Sequence, residues 1–424
     1  MDSDLTVEEV LEIVNSVMFQ YNGKYLKPCE RAIIKGSCEE YTYEKMAEVY
    51  RYSFYTLRQQ GSKFWEKLSL ALGEEVGKLD FMEAIERRID KKSKTDFYIE
   101  RPPVEAKCYQ ELLNLGALIR ITSPNKTGKS LLLNRILDYS ERQGYESVIL
   151  NFEEADSEIL NDYKSLLQWF CTSLSDELQL EDQLTDQWQD RLGKNKNTTN
   201  YLQNYLLANR SIPLVLVLEK VDLVFEQASY NNDFCKMLRS WYNTAHGNGR
   251  SSPIWQNLRL IIVHSTEVYA SLDIHSSPLS GAGLEVTLPD FTLEQVQTLA
   301  QHYQLTSLNA SDFEALMLMF GGYPYLIQTA FAFLKTQEFS LKQLLEIYPT
   351  EQSPFISQLR EILGILQKCP ELAQAYREVI SQNQPVRLST NETFKLESLG
   401  LVRVNNNECK PRCDLYRQYF TRNL

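Results

Sequence analysis

Ser123-Pro124-Asn125-Lys126-Thr127-Gly128-Lys129-Ser130 is the stretch whose residue types could handle a phosphate. Backbone N–H groups and a helix N-terminus can wrap a polyanion, and Gly128 lets the backbone come close. Lys129 would reach the β- and γ-phosphates, and the Ser130 hydroxyl would ligate Mg²⁺. The run follows the apolar segment Leu118–Thr122 and opens a helical pattern over Leu131–Tyr139. That is the strand–loop–helix context of a P-loop, with Ser123 where the first glycine of the pattern would stand. Ser123 to Leu131 are expected to hold ATP or ADP. A Gly-Lys-Ser triplet also occurs in plain lysine-bearing turns, so the flanking elements carry the reading.

Phosphoryl transfer asks for an acid after a later strand to hold the Mg²⁺ shell, and often a second acid to activate water. Here that strand ends Leu218-Glu219-Lys220-Val221-Asp222. Glu219 and Asp222 are the candidate catalytic acids, and Ser130 and Glu219 the candidate metal ligands. Glu219 is a methylene longer than aspartate in a site where Mg²⁺ demands near-octahedral geometry. Protonated Lys220 cannot act as a base. Binding without efficient hydrolysis is the expectation, a solvated strand end the alternative. Glu153, Glu154 and Asp156 read as a solvated loop or cap. Four histidines and no Gly-x-Ser-x-Gly elbow leave no visible hydrolase triad.

The elements that must position these residues alternate. Apolar runs at Leu118–Thr122, Ser147–Phe152, Leu214–Leu218, Leu258–His264 and Leu284–Leu288 are separated by helical patterns. This predicts an α/β fold with a mainly parallel sheet covered on both faces. Residues 193–197 and 247–253 read as surface loops. Residues 1–90 read as helical throughout, opening with a Thr6–Glu9 capping box. A short helix is expected at Ala32-Ile33-Ile34, ended by Gly36. Residues 42–50 and 53–72 read as two helices joined by a tight turn, a helix-turn-helix pattern with Arg58, Lys63 and Lys67 on the surface of the second helix. Residues 91–95 read as a linker. From 291 the pattern is helical again, and the C-terminus reads as helix, Gly400 and a hairpin, suggesting a winged helix.

With 424 residues, the chain is long enough for two or three domains. Lys+Arg total 44 against Asp+Glu 56, a net charge of −12, which excludes a uniformly basic nucleic-acid-coating surface. Met1-Asp2-Ser3-Asp4 is acidic where a leader would be basic, and no apolar run approaches the ~20 residues that span a bilayer. Eight scattered cysteines read as reduced, buried thiols, and Cys409 and Cys413 lack further metal ligands nearby. A cytoplasmic protein with no membrane segment is expected.

Beyond these patterns, the chain from Tyr98-Ile99-Glu100-Arg101-Pro102-Pro103 onward resembles the bacterial AAA-like domain family of P-loop ATPases, allied to the STAND signalling class. The resemblance is carried by Gly116–Ile121, the phosphate loop, Trp169-Phe170-Cys171, Leu258–Val263 and His264-Ser265-Thr266-Glu267-Val268-Tyr269. Phe291–Val296, Gly321–Leu326 and Leu396–Val402 extend it. Residues 1–90 resemble the N-terminal helix-turn-helix domain of vWA-MoxR-associated proteins, through Thr42-Tyr43-Glu44 and Gly61–Leu68. The resemblance implies a five-strand ASCE sheet at 96–290, a helical lid at 291–365, a winged helix at 366–424, and a switch between ADP-held and ATP-bound states. It also implies that Pro324, in Gly322-Tyr323-Pro324, closes over the nucleotide, that Ser265 and Thr266 are sensor candidates, and that residues 98–102 pass the adenine. The family's Asp-Glu-x-Asp stands here as Glu219-Lys220-Val221-Asp222, which bears on hydrolysis. No histidine follows His302, so the C-terminal region lacks the histidine latch of some such switches.

Three readings follow. The first is a nucleotide-gated switch whose N-terminal module docks a protein partner. The second is a working, oligomerising ATPase with Arg239 or Arg250 as a finger. The third is a DNA-binding regulator acting through Arg58, Lys63 and Lys67, with docking favoured over DNA.

Overall fold

A computed structural model describes residues 7–22, 24–39, 41–72, 76–82, 84–85, 98–208, 210–270, 279–336, 340–347 and 352–424. The expected cap residue Thr6 and the linker at 91–95 lie outside the described residues. The chain forms two compact units, Met1–Phe97 and Tyr98–Leu424.

The first unit packs the helices α1 (Val7–Asn22), α2 (Pro28–Cys38), α3 (Tyr43–Tyr50) and α4 (Phe54–Leu72) against one another. Val10, Val14 and Val17 of α1, at spacings of four and three, meet Ile33, Ile34, Met46, Leu57, Phe64 and Leu68 in one core. Thr42 caps α3, its hydroxyl accepting from Lys45 N at 3.3 Å. Trp65 Nε1 of α4 donates to the Tyr43 hydroxyl at 2.9 Å. Gly36 does not end a short helix as expected. It lies inside α2, where the Met46 side chain fills the space a Cβ would need. Arg58, Lys63 and Lys67 are exposed on α4, with Glu66 among them.

The second unit is built on a parallel sheet in the order β2-β3-β4-β1-β5, with β1 Leu118–Ser123, β2 Glu146–Asn151, β3 Leu214–Glu219, β4 Leu258–Ser265 and β5 Leu284–Val286. Every residue of β1, β3 and β4 is buried, as both faces of a covered parallel sheet require. Leu216 and Leu260 pack with Phe170 and Leu174 of the helix Tyr163–Glu177 and with Trp241 of the helix Asn231–His246. Because β4 stands between β1 and β3, Ser123 is in register with Ser265, and Glu219 with Val263. The loop expected at 193–197 becomes helical from Lys194 to Tyr201. Asn197 is buried and its side chain bonds Gln189 N, Gln189 O and Gly193 O, which draws the segment into the fold.

Among the described residues, helices follow the sheet at Leu293–His302, Ala310–Phe320, Pro324–Thr336 and Leu341–Ile347. The chain then runs through helices Ile356–Lys368, Pro370–Ser381 and Thr390–Ser398, the antiparallel hairpin β6 (Val402–Asn405) and β7 (Glu408–Pro411), and a last helix Asp414–Asn423. Val386 adds a bridge to Cys409 at the hairpin's edge. Among the described residues no helix is long and apolar enough to cross a membrane, and no group of three metal-ligating side chains occurs.

Candidate nucleotide site

The phosphate loop leaves β1 and enters the helix Lys129–Arg142. Lys126 at φ +60° and Gly128 at φ +98° turn the backbone through the left-handed region. That conformation is cheap for glycine and lets successive N–H groups point the same way. The helix has no acidic residue in its first turn and no side-chain cap, so its positive end is left for an external anion. Ser130 is exposed there. Ser123 is buried, and its hydroxyl accepts from Leu288 N at 2.8 Å; the residue in place of glycine ties the loop to the segment after β5. Thr127 donates within the loop to Pro124 O at 3.0 Å.

Lys129 Nζ donates to the carbonyls of Ser123 at 2.9 Å and Pro124 at 2.8 Å. Burial lowers its pKa to about 8, against an opposing pull from Glu267 and Asp222. An anion beside it would stabilise the ammonium, so the loop is tuned to receive negative charge. Arg101 supplies a second buried cation. It donates to Thr127 O at 2.8 Å, and a Cβ on Gly128 would press against its guanidinium. Its backbone N–H donates to Glu105 at 2.8 Å, and the Tyr98 hydroxyl bonds the same carboxylate. The guanidinium carbons of Arg101 and Arg135 lie 5.9 and 5.4 Å from the Tyr98 ring centroid.

Glu219 is not a solvated strand end. It is 8% exposed, and burial raises its carboxyl to about 7, offset in part by Lys220. Lys220 turns away at φ +58° and pairs with Glu153 at 2.8 Å. Asp222 accepts from Ser265 N at 3.1 Å and so braces the end of β3 against the end of β4. Of the sensor candidates, the Ser265 hydroxyl accepts from Glu267 N at 3.3 Å, and Thr266 donates to Ser398 O at 2.7 Å. Thr266 therefore holds the C-terminal region to the sheet. Buried His264 bonds the Tyr269 hydroxyl; burial, with Lys129 and Arg120, drives its pKa to about 3, so it adds no charge.

The loop is also gripped from the C-terminal side. Tyr323, just before the buried Pro324, donates its hydroxyl to Asn125 O at 2.5 Å. Arg412 stacks 4.3 Å from the Tyr323 ring centroid and pairs with Asp290, which Arg403 also reaches at 2.9 Å. Lys126 lies 3.7 Å from Glu361 and 4.5 Å from the Tyr325 ring centroid. Pro124 abuts Gly400. Pro324 and the segment holding Arg101 are legible in the sequence, and Glu267 only as part of the stretch His264–Tyr269. The sequence puts Tyr323 in the lid triplet without its bond to Asn125, and does not single out Asp290, Arg403 or Arg412. Charge and aromatic type were the available signal, and nothing local says that residues over a hundred positions apart meet. Arg239, a finger candidate, donates to Ser280 O at 2.9 Å.

ATP or ADP fits this donor set: a free helix end, a lysine of depressed pKa and a close-packed glycine. Lys129 and the N–H groups of the loop would hold the phosphates. Ser130 and Glu219 would hold Mg²⁺, which neutralises phosphate charge when bound.

Residues 86–422 match the model of the AAA-like domain family, and residues 5–88 that of the vWA-MoxR associated protein N-terminal HTH. A Walker-type ATPase of Pyrococcus abyssi is similar in fold, at TM-score 0.51 and 14% identity over 76% of this chain and 96% of that one. Cdc6p of Pyrobaculum aerophilum matches at TM-score 0.36 and 13% identity, over 78% of this chain and 97% of that one. Among curated proteins none is similar in sequence.

Proposed function

The chain belongs to the AAA-like domain family, and from that premise we propose that it is an ATP/ADP-binding switch of the STAND kind. Its hydrolysis is slow or absent, and its N-terminal helices dock a protein partner. The observation that carries this reading is the grip on Asn125, whose carbonyl accepts from Tyr323 at the start of the lid helix. A ligand that reshapes the loop acts directly on the segment that positions residues 291–365, the lid, and through Arg412 on residues 366–424, the winged helix. Slow turnover is supported by Lys220, which stands where a water-activating acid would and is committed to Glu153. Protein docking is supported by α4, where Glu66 breaks the basic run of Arg58, Lys63 and Lys67.

Calorimetric titration of the full chain with ATP and ADP, with and without Mg²⁺, tests the proposal beside Lys129→Ala. Binding that is lost in the variant, with a change in scattering profile between the two nucleotides, is the expected result. A folded wild-type chain that binds neither nucleotide would refute it.

A further inference from the structure

A switch of this kind needs a device that makes the two nucleotides bind unequally, since a ligand shifts an equilibrium only by its differential affinity. One residue in the second unit is placed to do so. Glu267 lies two residues past the end of β4, in the turn Thr266–Ala270, and is half-buried. Its Oε1 accepts from Asn125 N at 3.1 Å, and its Oε2 from Asn125 Nδ2 at 2.5 Å. The backbone N–H groups of a phosphate loop are the groups that receive phosphate oxygens. In this chain one of them is already given to a carboxylate of the protein itself.

The surroundings sharpen the point. Among the charges acting on Lys129, Glu267 is the strongest attractive one, ahead of Asp222. Lys129 is the group that reaches the β- and γ-phosphates. A carboxylate coupled to that ammonium and bonded to that loop competes with the terminal part of a phosphate chain more than with its inner part. Burial raises the pKa of Glu267, and Glu361, on the helix Ile356–Lys368 and 3.7 Å from Lys126, raises it further by its negative charge. The triphosphate carries one more phosphoryl group and one more charge toward this region than the diphosphate does.

We propose that Glu267 is the specificity-determining residue for nucleotide state. Its carboxylate, bonded to Asn125, discriminates against the triphosphate, so that the chain binds ADP more tightly than ATP. The inference rests on the phosphate-loop reading above. It gives Glu267 a positioning role through Asn125 and an electrostatic role toward the ligand, and no part in bond breaking. Displacement of Glu267 from Asn125 also acts on the residue that Tyr323 holds, so the discrimination is wired to the lid.

The test is calorimetric titration of the full-length chain, as wild type, Glu267→Gln and Lys129→Ala, with ADP and ATP in Mg²⁺-containing and Mg²⁺-free buffer. Glu267→Gln keeps an acceptor for Asn125 N and removes the charge. The wild type is expected to prefer ADP by about tenfold or more, within the range usual for coupling between sites. In Glu267→Gln the ATP affinity rises until the ratio falls within about threefold, while ADP affinity changes little. Equal affinities in the wild type overturn the inference whether or not the variant folds. So does a variant that weakens both nucleotides alike, or one that keeps the ratio and loses only turnover. In each of those cases binding that is lost in Lys129→Ala leaves the phosphate-loop reading standing. A wild type that binds neither nucleotide removes that reading, and this inference with it.

Discussion

Nucleotide binding should take up protons at Lys129. Its pKa is about 8 because burial disfavours the ammonium, whereas an exposed lysine titrates near 10.4. At pH 8 the free site is therefore about half deprotonated, and at pH 9 about nine-tenths. Phosphates are fully ionised there, their second pKa lying near 6, so a bound polyphosphate restores the ammonium and raises its pKa. The sign follows. Below pH 7 lysine is protonated in both states and contributes no uptake. Near pH 8 binding takes up about half a proton, near pH 9 about one, and affinity falls by about tenfold per unit above pH 8. ADP titrations without Mg²⁺, in buffers of contrasting ionisation enthalpy from pH 6.5 to 9.5, read the uptake directly. Lys129→Arg, charged throughout, should bind with no such uptake. An uptake absent from the wild type across this range, or unchanged in Lys129→Arg, would refute the reasoning.

Three further outcomes are expected. Mg²⁺ should strengthen nucleotide binding more at pH 8 than at pH 6, because Glu219 titrates near 7 and only its ionised form ligates the ion; Glu219→Gln flattens that profile in titrations with and without Mg²⁺. Arg412→Ala leaves Asp290 paired with the more exposed Arg403 alone, and should cost up to about 3–5 kcal/mol, read as a lower thermal midpoint and faster amide exchange at 400–412. Gly61→Ala puts a methyl group into the Tyr43 hydroxyl and should destabilise the N-terminal helices by about 1–3 kcal/mol, seen as faster amide exchange in α3 and α4 with ADP affinity unchanged.

The sheet and the phosphate loop were legible because their signals are local. Each strand is an apolar run bounded by polar residues, and the loop's lysine, glycine and serine lie between a strand and a helix. What could not be read were the ties between distant residues. Asn125 meets Glu267 across 142 positions and Tyr323 across 198, and Arg412 meets Asp290 across 122. No periodicity encodes such pairs, since they arise where the ends of β1 and β4 and the C-terminal helices converge. That Glu219 is buried, and not the solvated strand end that was its alternative reading, was illegible for a related reason. Its strand lies between β2 and β4, and burial at the end of a central strand depends on neighbours remote in sequence.

These distant ties have a thermodynamic consequence. Asn125 is held at its N–H by the end of the sheet and at its carbonyl by Tyr323 of the lid segment. Both bonds fix the same residue, so whatever favours release of one biases the other. Linkage then requires reciprocity: the factor by which nucleotide loosens the Tyr323 contact is the factor by which loss of that contact changes nucleotide affinity. A phosphate loop gripped on only one side could bind nucleotide as tightly, yet would have no means of reporting which nucleotide it holds. On the switch proposed above, the second grip is the contact through which binding would be passed on, and it lies outside the sequence motif that announces the site.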